Sequence, residues 1–368
     1  MMNDKLKLTN SSSIALDLIR ACSSQIVLIG HSLSFFEIVT SNDEKNNLLI
    51  QNFGVLIFYI LSGFLISYST FNKLEGSYNF KNYFVDRFVR IYSAYLPILI
   101  LIFLFDFFVF SFLLPQSYPH FESLNLKTFL GNLFMLQDFQ LFKAIEFTKS
   151  LHISSLGSGR PLWTLALEWW FYMFFGWFVL FDKTKLNFYV KLLILIVLSI
   201  VPILNITFSP RGNCLGFIWF LGFFVFLLLK NKIGQEITAS KLKIIIFVLI
   251  GLLILRVFSN HYDFYDFRVG FITASILFFT IVLFQNREFL INNKLVTLIK
   301  KTSDYSFSLY LIHYSIVEFY VNYFGKENKL LSMIITFFLC NILALLIANY
   351  TEFRHKIVRN FIRKKYKI

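Results

Sequence analysis

The sequence predicts an all-α polytopic membrane protein, a single bundle of about ten transmembrane helices with both termini in the cytoplasm. Hydrophobic residues make up 57% of the 368 residues, charged residues only 15%, and the mean hydropathy is +0.66. Apolar runs of about 17 residues or more, long enough to cross a bilayer, recur along the chain. Lys and Arg gather in alternate loops, as the positive-inside rule requires.

Each predicted span is an apolar run bounded by polar loops. We expect the spans at residues 13–39, 53–71, 91–114, 163–181, 187–208, 213–229, 242–258, 268–285, 304–324 and 331–350. This topology places 24 of the 35 Lys and Arg residues inside. The apolar segment 124–142 could form an eleventh span, but crossing there would move 18 later positive charges outside. We therefore expect it to be re-entrant or interfacial, within an external loop of residues 115–162.

The spans and short connections predict one transmembrane domain, residues 1–352, followed by a basic cytoplasmic tail, residues 353–368. We interpret the tail as an anchor at an anionic inner leaflet, with a specific acidic ligand as the alternative. The formal charge of +14 follows from the topology and does not indicate nucleic-acid binding. The three cysteines lie in apolar segments and show neither a disulfide framework nor metal-ligand spacing, so we expect no metal.

Ionisable residues in the first span give the strongest functional signal. Arg20 and His31 are eleven residues apart, so on a helix they share a face within about 20° and lie about 16 Å apart along the axis. Asp17 and Ser24 fall near the same stripe. Because charged groups inside a membrane are costly, this polar face indicates a path or cavity rather than a lipid contact.

Five short motifs follow one another along the chain. They are Leu16–Arg20 with His31, Phe58–Ile66 around Ser62-Gly63-Phe64, Phe84–Tyr92 with Arg87 and Arg90, Leu162–Tyr172 with Glu168, and Tyr305–His313. In these residues, and in their order, the chain resembles the acyltransferase-3 family of integral membrane acyltransferases.

The resemblance implies transfer of an acyl group, commonly acetyl from acetyl-CoA, to a hydroxyl of an extracytoplasmic glycan or glycolipid, such as a cell-surface polysaccharide or lipopolysaccharide. Acyl-CoA is then a donor substrate, and we expect no permanently bound cofactor. The expected location is a bacterial cytoplasmic (inner) membrane. Some relatives carry a fused or partner esterase-like domain, and we expect none in this chain. Transfer is therefore expected to be direct or to use a separate partner chain.

His31 and Glu168 are the predicted catalytic residues. A sugar hydroxyl is a poor nucleophile, and histidine is the side chain most easily tuned to accept its proton. Glu168, about five residues into its span, is expected to orient or stabilise His31 or to bind the incoming hydroxyl. The family often has a second polar residue after this glutamate, where this chain has Trp169. The neighbouring aromatics, Trp163 among them, form either an interfacial belt or a surface that stacks on a sugar.

Three arginines are the predicted contacts of acyl-CoA. Arg87 and Arg90 lie three residues apart, and planar guanidinium groups suit phosphate oxygens. The family associates this Arg-x-x-Arg motif with the cytoplasmic donor, whereas positive-inside anchoring explains two arginines without any ligand. Arg20 is expected to contact a phosphate or the thioester arm, or instead to pair with Asp17.

Other functions stay open at this stage. A transporter or flippase could use Arg20, His31 and Glu168 as an ion or substrate relay, although the chain shows no internal repeat. A purely structural membrane subunit would not need a buried ionisable stripe. Acyl transfer could also proceed in two steps, through His31 or another protein group.

Several further residues receive structural interpretations. We expect His313 to make a hydrogen bond within the bundle, and we expect Gly63 to allow either close helix packing or passage of a narrow ligand. We interpret the loop residues as ordinary solvated side chains: His120, His152, His261, Asp263 and Asp266.

Overall fold

The computed structural model describes residues 5–38, 50–74, 76–114, 120–139, 141–142, 145–207, 214–258, 265–287 and 292–366. Helix accounts for 81% of these residues and they contain no strand, which confirms the predicted all-α class. His261 and Asp263 lie outside the described residues.

Ten of the α-helices overlap the ten predicted spans, with the largest shift at the third, predicted at 91–114 and observed from Phe80. In chain order the α-helices are α1 (Asn10–Phe35), α2 (Ile50–Phe71), α3 (Phe80–Phe108), α4 (Leu126–Leu133), α5 (Leu162–Val179), α6 (Phe188–Thr207), α7 (Leu215–Lys230), α8 (Ala239–Phe258), α9 (Phe267–Asn286), α10 (Asn293–Asp304), α11 (Ser306–Phe324), α12 (Lys329–Tyr350) and α13 (His355–Tyr366). A π-helical turn, Val109–Leu113, continues α3. Shorter 3₁₀ turns lie at Phe121–Ser123, Glu146–Leu151, Phe181–Lys183 and Glu352–Arg354.

Six helical segments of the described chain are long and apolar enough to cross a membrane. They are Asn10–Phe35, Ile50–Phe71, Phe80–Leu113, Phe188–Asn205, Phe267–Asn286 and Lys329–Tyr366. The chain is thus a multi-pass membrane protein, while ten spans and the orientation of the termini stay predictions. Within segment 124–142, the eight residues of α4 rise only about 12 Å, so this helix is too short to cross.

The helices group into two compact units, and the predicted single bundle with one transmembrane domain, residues 1–352, stays a prediction. Unit 1 comprises residues 1–27, 41–77 and 210–303, and unit 2 comprises residues 28–40, 78–209 and 304–368. Unit 1 therefore contains α2 and α7 to α10, whereas unit 2 contains α3 to α6 and α11 to α13, and α1 contributes to both.

Close helix packing in unit 1 depends on two glycines. A Cβ added to Gly63 on α2 would lie 2.0 Å from the backbone oxygen of Trp219, and one added to Gly222 would lie 2.0 Å from the backbone oxygen of Ile60. Each glycine thus permits the backbones of α2 and α7 to approach closely. Of the two predicted roles for Gly63, the structure supports helix packing.

Candidate active site

A histidine cluster, made of His31, Tyr310, His313 and Tyr314, lies in unit 2. His31 on α1 is half-buried, and its ring centroid lies 5.2 Å from that of His313 and 5.1 Å from that of Tyr314 on α11. His313 is 1% exposed. The neighbour of the predicted base is therefore a second imidazole.

The backbone fixes the hydrogen position on His313. Its Nδ1 lies 2.9 Å from the carbonyl oxygen of Tyr310 and 3.1 Å from that of Leu309. Carbonyl oxygens only accept, so Nδ1 carries the hydrogen and Nε2 holds the lone pair of the neutral ring. Nε2 is buried and has no hydrogen-bond partner among the described residues. The predicted bundle hydrogen bond thus exists at Nδ1, while the second nitrogen stays available as an acceptor.

Glu168 lies on α5, close to the histidine cluster. Its carboxylate accepts a hydrogen bond of 2.5 Å from the hydroxyl of Tyr172 and is near enough to act electrostatically on Tyr310. One turn earlier, Thr164 hydrogen-bonds to the Tyr310 hydroxyl. Glu168 thus approaches the cluster through Tyr310 on α11, whose ring centroid lies 6.0 Å from that of His313. The predicted action of Glu168 on His31 stays a prediction.

The aromatic residues after Glu168 mainly pack against the protein. Trp169 is 7% exposed and makes edge contacts with Tyr92, at 5.5 Å, and Phe84, at 6.0 Å. Trp170 donates from Nε1 to the backbone oxygen of Met135 at 2.8 Å. These contacts support a packing role for both tryptophans.

A buried carboxylate that the sequence analysis missed holds a turn beside the cluster. Asp106 on α3 is fully buried and accepts from the backbone N–H of Ser158 at 2.7 Å and from its hydroxyl at 2.8 Å. The Ser158 hydroxyl also hydrogen-bonds to Ser315 on α11 at 2.6 Å. A Cβ added to Gly157, whose φ is +48°, would lie 2.0 Å from Asp106 Oδ2. Asp106 thereby fixes the chain just before Arg160.

Ion pairs surround the Arg-x-x-Arg motif at the start of α3. Arg90 pairs with Glu352 at 2.9 Å, and the 1% exposed Glu352 also accepts from the backbone N–H and hydroxyl of Ser308, both at 3.1 Å. The guanidinium of Arg87 lies over the ring of Tyr83, 5.5 Å from its centroid. Arg90 thus forms an ion pair within the protein. This structural role adds to the two roles predicted from sequence, donor binding and positive-inside anchoring.

A second ion pair joins α3 to the C-terminal helix α13. Asp86 is buried, pairs with Arg363 at 2.8 Å and accepts a hydrogen bond from the Tyr78 hydroxyl at 3.2 Å. Burial, and after it the Asp86 carboxylate, raises the pKa of the Tyr78 phenol further above neutrality, so its hydroxyl is the donor to Asp86. The predicted tail is accordingly tied to unit 2 by Arg363.

Arg20 lies in the part of α1 that belongs to unit 1 and is half-buried. Nearby in sequence, Asp17 accepts a hydrogen bond from Ser303 at 3.3 Å. The proposed contact of Arg20 with the donor stays a prediction.

Asp106 and Glu318 could have been found from the sequence. Like Glu168, each is an acidic residue within an apolar run. Glu318 on α11 is 4% exposed and its Oε1 lies 2.8 Å from His120 Nε2. His120, interpreted from sequence as a solvated side chain, is therefore held by a buried carboxylate.

The fold and the site define a class, a multi-pass membrane protein with a buried cluster of polar residues suited to group transfer. A family model described as an acyltransferase domain matches residues 13–350, so the chain belongs to this acyltransferase family. The resemblance inferred from the motifs is thereby confirmed, and membership supports transferase activity. No curated protein and no solved structure matches the chain.

Proposed function

We propose that the protein is an O-acyltransferase of a bacterial cytoplasmic membrane, which moves an acyl group, acetyl in the simplest case, from cytoplasmic acyl-CoA to a hydroxyl of an extracytoplasmic glycan. The observation that carries the proposal is the pair His31 and His313, since a base beside a second imidazole of fixed tautomer suits proton abstraction. The acyltransferase family match supports the same reaction class.

His31 acts as the general base in this mechanism. It takes the proton of the acceptor hydroxyl as the oxygen attacks the thioester carbonyl, and the tetrahedral intermediate then expels coenzyme A as its thiolate. The imidazolium of His31 returns the proton to the leaving sulfur. A new ester C–O bond thus replaces the C–S bond, with no change in oxidation state.

His313 acts as a positioning residue for His31. Ring centroids 5.2 Å apart allow one hydrogen bond between ring nitrogens after a small rotation. Because His313 Nδ1 is bound to backbone carbonyls, only Nε2 can accept a hydrogen bond, and it would hold an N–H of His31. The other nitrogen of His31 would then carry the lone pair that faces the acceptor.

Donor binding is assigned to the start of α3. Arg87 offers a guanidinium for the phosphates of coenzyme A, and Arg90, with its side chain 34% exposed, can add contacts while paired with Glu352. Sixteen residues of helix separate Arg90 from Asp106, a distance of about 24 Å along α3. The pantetheine arm would cover this distance toward the histidine cluster.

The proposal is tested with purified protein in sealed vesicles. Radiolabelled acetyl-CoA is supplied on one side, an extracted cell-envelope glycan on the other, and label in the glycan is measured for wild type, His31→Ala and Ser34→Ala. We expect the His31 variant to lose about 100-fold or more of the rate. The Ser34 variant, altered at an exposed position on the same helix, should retain it.

Two results would contradict the proposal. Full labelling by His31→Ala would remove His31 from the chemistry. If wild-type protein labels no glycan with acetyl-CoA, propionyl-CoA or a longer acyl-CoA, the proposed transfer from acyl-CoA is wrong.

A further inference from the structure

We propose that a polar cavity of about 360 Å³ in unit 2 is the acceptor site and that it takes an anionic sugar, whose charge Arg160 binds. This inference rests on the proposed function and deepens it. The volume lies within the range of small-molecule sites. Side chains that line the cavity include His120, Asn125, Lys127, His152, Ser154 and Arg160.

Arg160 carries the argument for a negative charge. Its side chain is half-buried, and it has neither a hydrogen-bond nor an ion-pair partner among the described residues. The guanidinium lies at the wall of the cavity, where its planar N–H groups can bind the carboxylate or phosphate oxygens of a ligand in a bidentate geometry. With Lys127 also in the wall, the lining itself carries two cations and one carboxylate, that of Glu122, while two further carboxylates lie behind the wall imidazoles.

The position of Arg160 is fixed before a ligand arrives. Asp106 holds Ser158, two residues earlier, by two hydrogen bonds, and Gly157 adopts a φ of +48° where a side chain would collide with Asp106. A preorganised cation loses less entropy on binding than one on a free loop. The buried Asp106 thus has a use as the support of Arg160.

Two imidazoles in the wall are also held in place. His152 Nε2 lies 3.2 Å from Asp138 Oδ1, and His120 Nε2 lies 2.8 Å from Glu318 Oε1. The second oxygen of Glu318 is buried and has no hydrogen-bond partner among the described residues. Oriented imidazole, amide and hydroxyl groups around one cation match a polyhydroxylated ligand better than a bare ion.

The cavity adjoins the histidine cluster. Two hydrogen bonds join the cavity region to α11 beside the cluster: Ser158, two residues before Arg160, bonds to Ser315 at 2.6 Å, and His120 in the wall bonds to Glu318 at 2.8 Å. Tyr314, next to Ser315, packs edge-on against His31 at 5.1 Å. A sugar anchored by Arg160 would therefore present its hydroxyls near His31. Because Asp106 and Arg90 are about 24 Å apart along α3, the cavity is distinct from the proposed donor contacts.

The test is direct binding by saturation-transfer NMR, with the protein in lipid nanodiscs and without acyl-CoA. The probes are glucuronate and glucose 6-phosphate, which distinguish a carboxylate from a phosphate, and glucose as the neutral control. We expect the anionic sugars to bind more tightly than glucose, and Arg160→Gln to weaken them about tenfold. Lys149→Gln, which removes an exposed cation of the same segment outside the cavity, should bind as wild type does.

Three outcomes would overturn the inference. They are equal binding of glucose and both anions, unchanged affinity in Arg160→Gln, and displacement of the sugars by coenzyme A, which would make this cavity a donor site. Comparison with the vesicle assay separates the two proposals. Sugar binding without acyl transfer would contradict the function alone, whereas acyl transfer that is indifferent to Arg160→Gln would contradict the acceptor site alone.

Discussion

The two ends of α3 in unit 2 differ in how fully their buried carboxylate and imidazole acceptors are hydrogen-bonded. At its start, Asp86 accepts from Arg363 and Tyr78, and Glu352 accepts from Arg90 and twice from Ser308. Near Asp106, at the other end, two buried acceptors have no hydrogen-bond partner among the described residues: His313 Nε2 and Glu318 Oε2.

This difference separates groups that hold the fold from groups that are available to a substrate. Buried polar atoms in proteins are nearly all hydrogen-bonded, so two unbonded acceptors in one place point to function. We call the start of α3 the saturated end and the region near Asp106 the unsaturated end. Mutations at the saturated end should therefore mainly change stability, and mutations at the unsaturated end should mainly change activity.

The largest stability effect is expected at Glu352. Glu352→Ala leaves Arg90 and Ser308 without their buried acceptor, and breaking such a pair costs about 3–5 kcal/mol of the free energy of unfolding. Denaturant unfolding in detergent measures it. The matched variant Glu327→Ala, at an exposed position, should change stability by less than about 0.5 kcal/mol. Equal losses in both variants would mean that the saturated end does not stabilise the fold.

His313→Gln should show the opposite response. We expect a rate of acyl transfer about 100-fold lower, a displaced pH profile of kcat/KM because the partner of His31 is altered, and a nearly unchanged unfolding midpoint. Tyr320→Phe on the same helix should leave all three as in wild type. A variant that kept the wild-type rate and profile would exclude a positioning role for His313.

Gly157→Ala should reduce both stability and activity, because it disturbs the support of the unsaturated end. The left-handed backbone costs an alanine about 1–2 kcal/mol, and the methyl group would displace Asp106 from Ser158 at a further cost of about 1–3 kcal/mol. Gly76→Ala, at a φ of +81° with open space around it, isolates the backbone cost. Thermal unfolding of the two variants side by side gives the difference, and equal midpoints would mean that Asp106 moves without penalty.

The helices and the family could be predicted from sequence because each depends on local patterns. Apolar runs mark the helices, and short motifs carry the resemblance. The site could be predicted only in part, since Asp106 meets Ser158 across 52 residues, and His31 meets His313 across most of the chain. A single sequence states which residues are polar but not which distant ones meet.

The smallest effect is expected at an exposed ion pair of unit 2, Lys326 with Glu37 at 2.5 Å. The hydrogen bond from Lys326 lowers the pKa of Glu37, so any stabilisation exists above the ordinary carboxyl pKa and is lost as pH falls through the lowered value. Water screens both side chains, and such pairs contribute little. At about pH 7, and again at about pH 2, below the ordinary carboxyl pKa and its lowered value, Lys326→Gln should therefore have the same unfolding midpoint as wild type. A lower midpoint for the variant at pH 7 that disappears at pH 2 would show that an exposed ion pair stabilises unit 2. Burial would then not be what distinguishes the Glu352 ion pair.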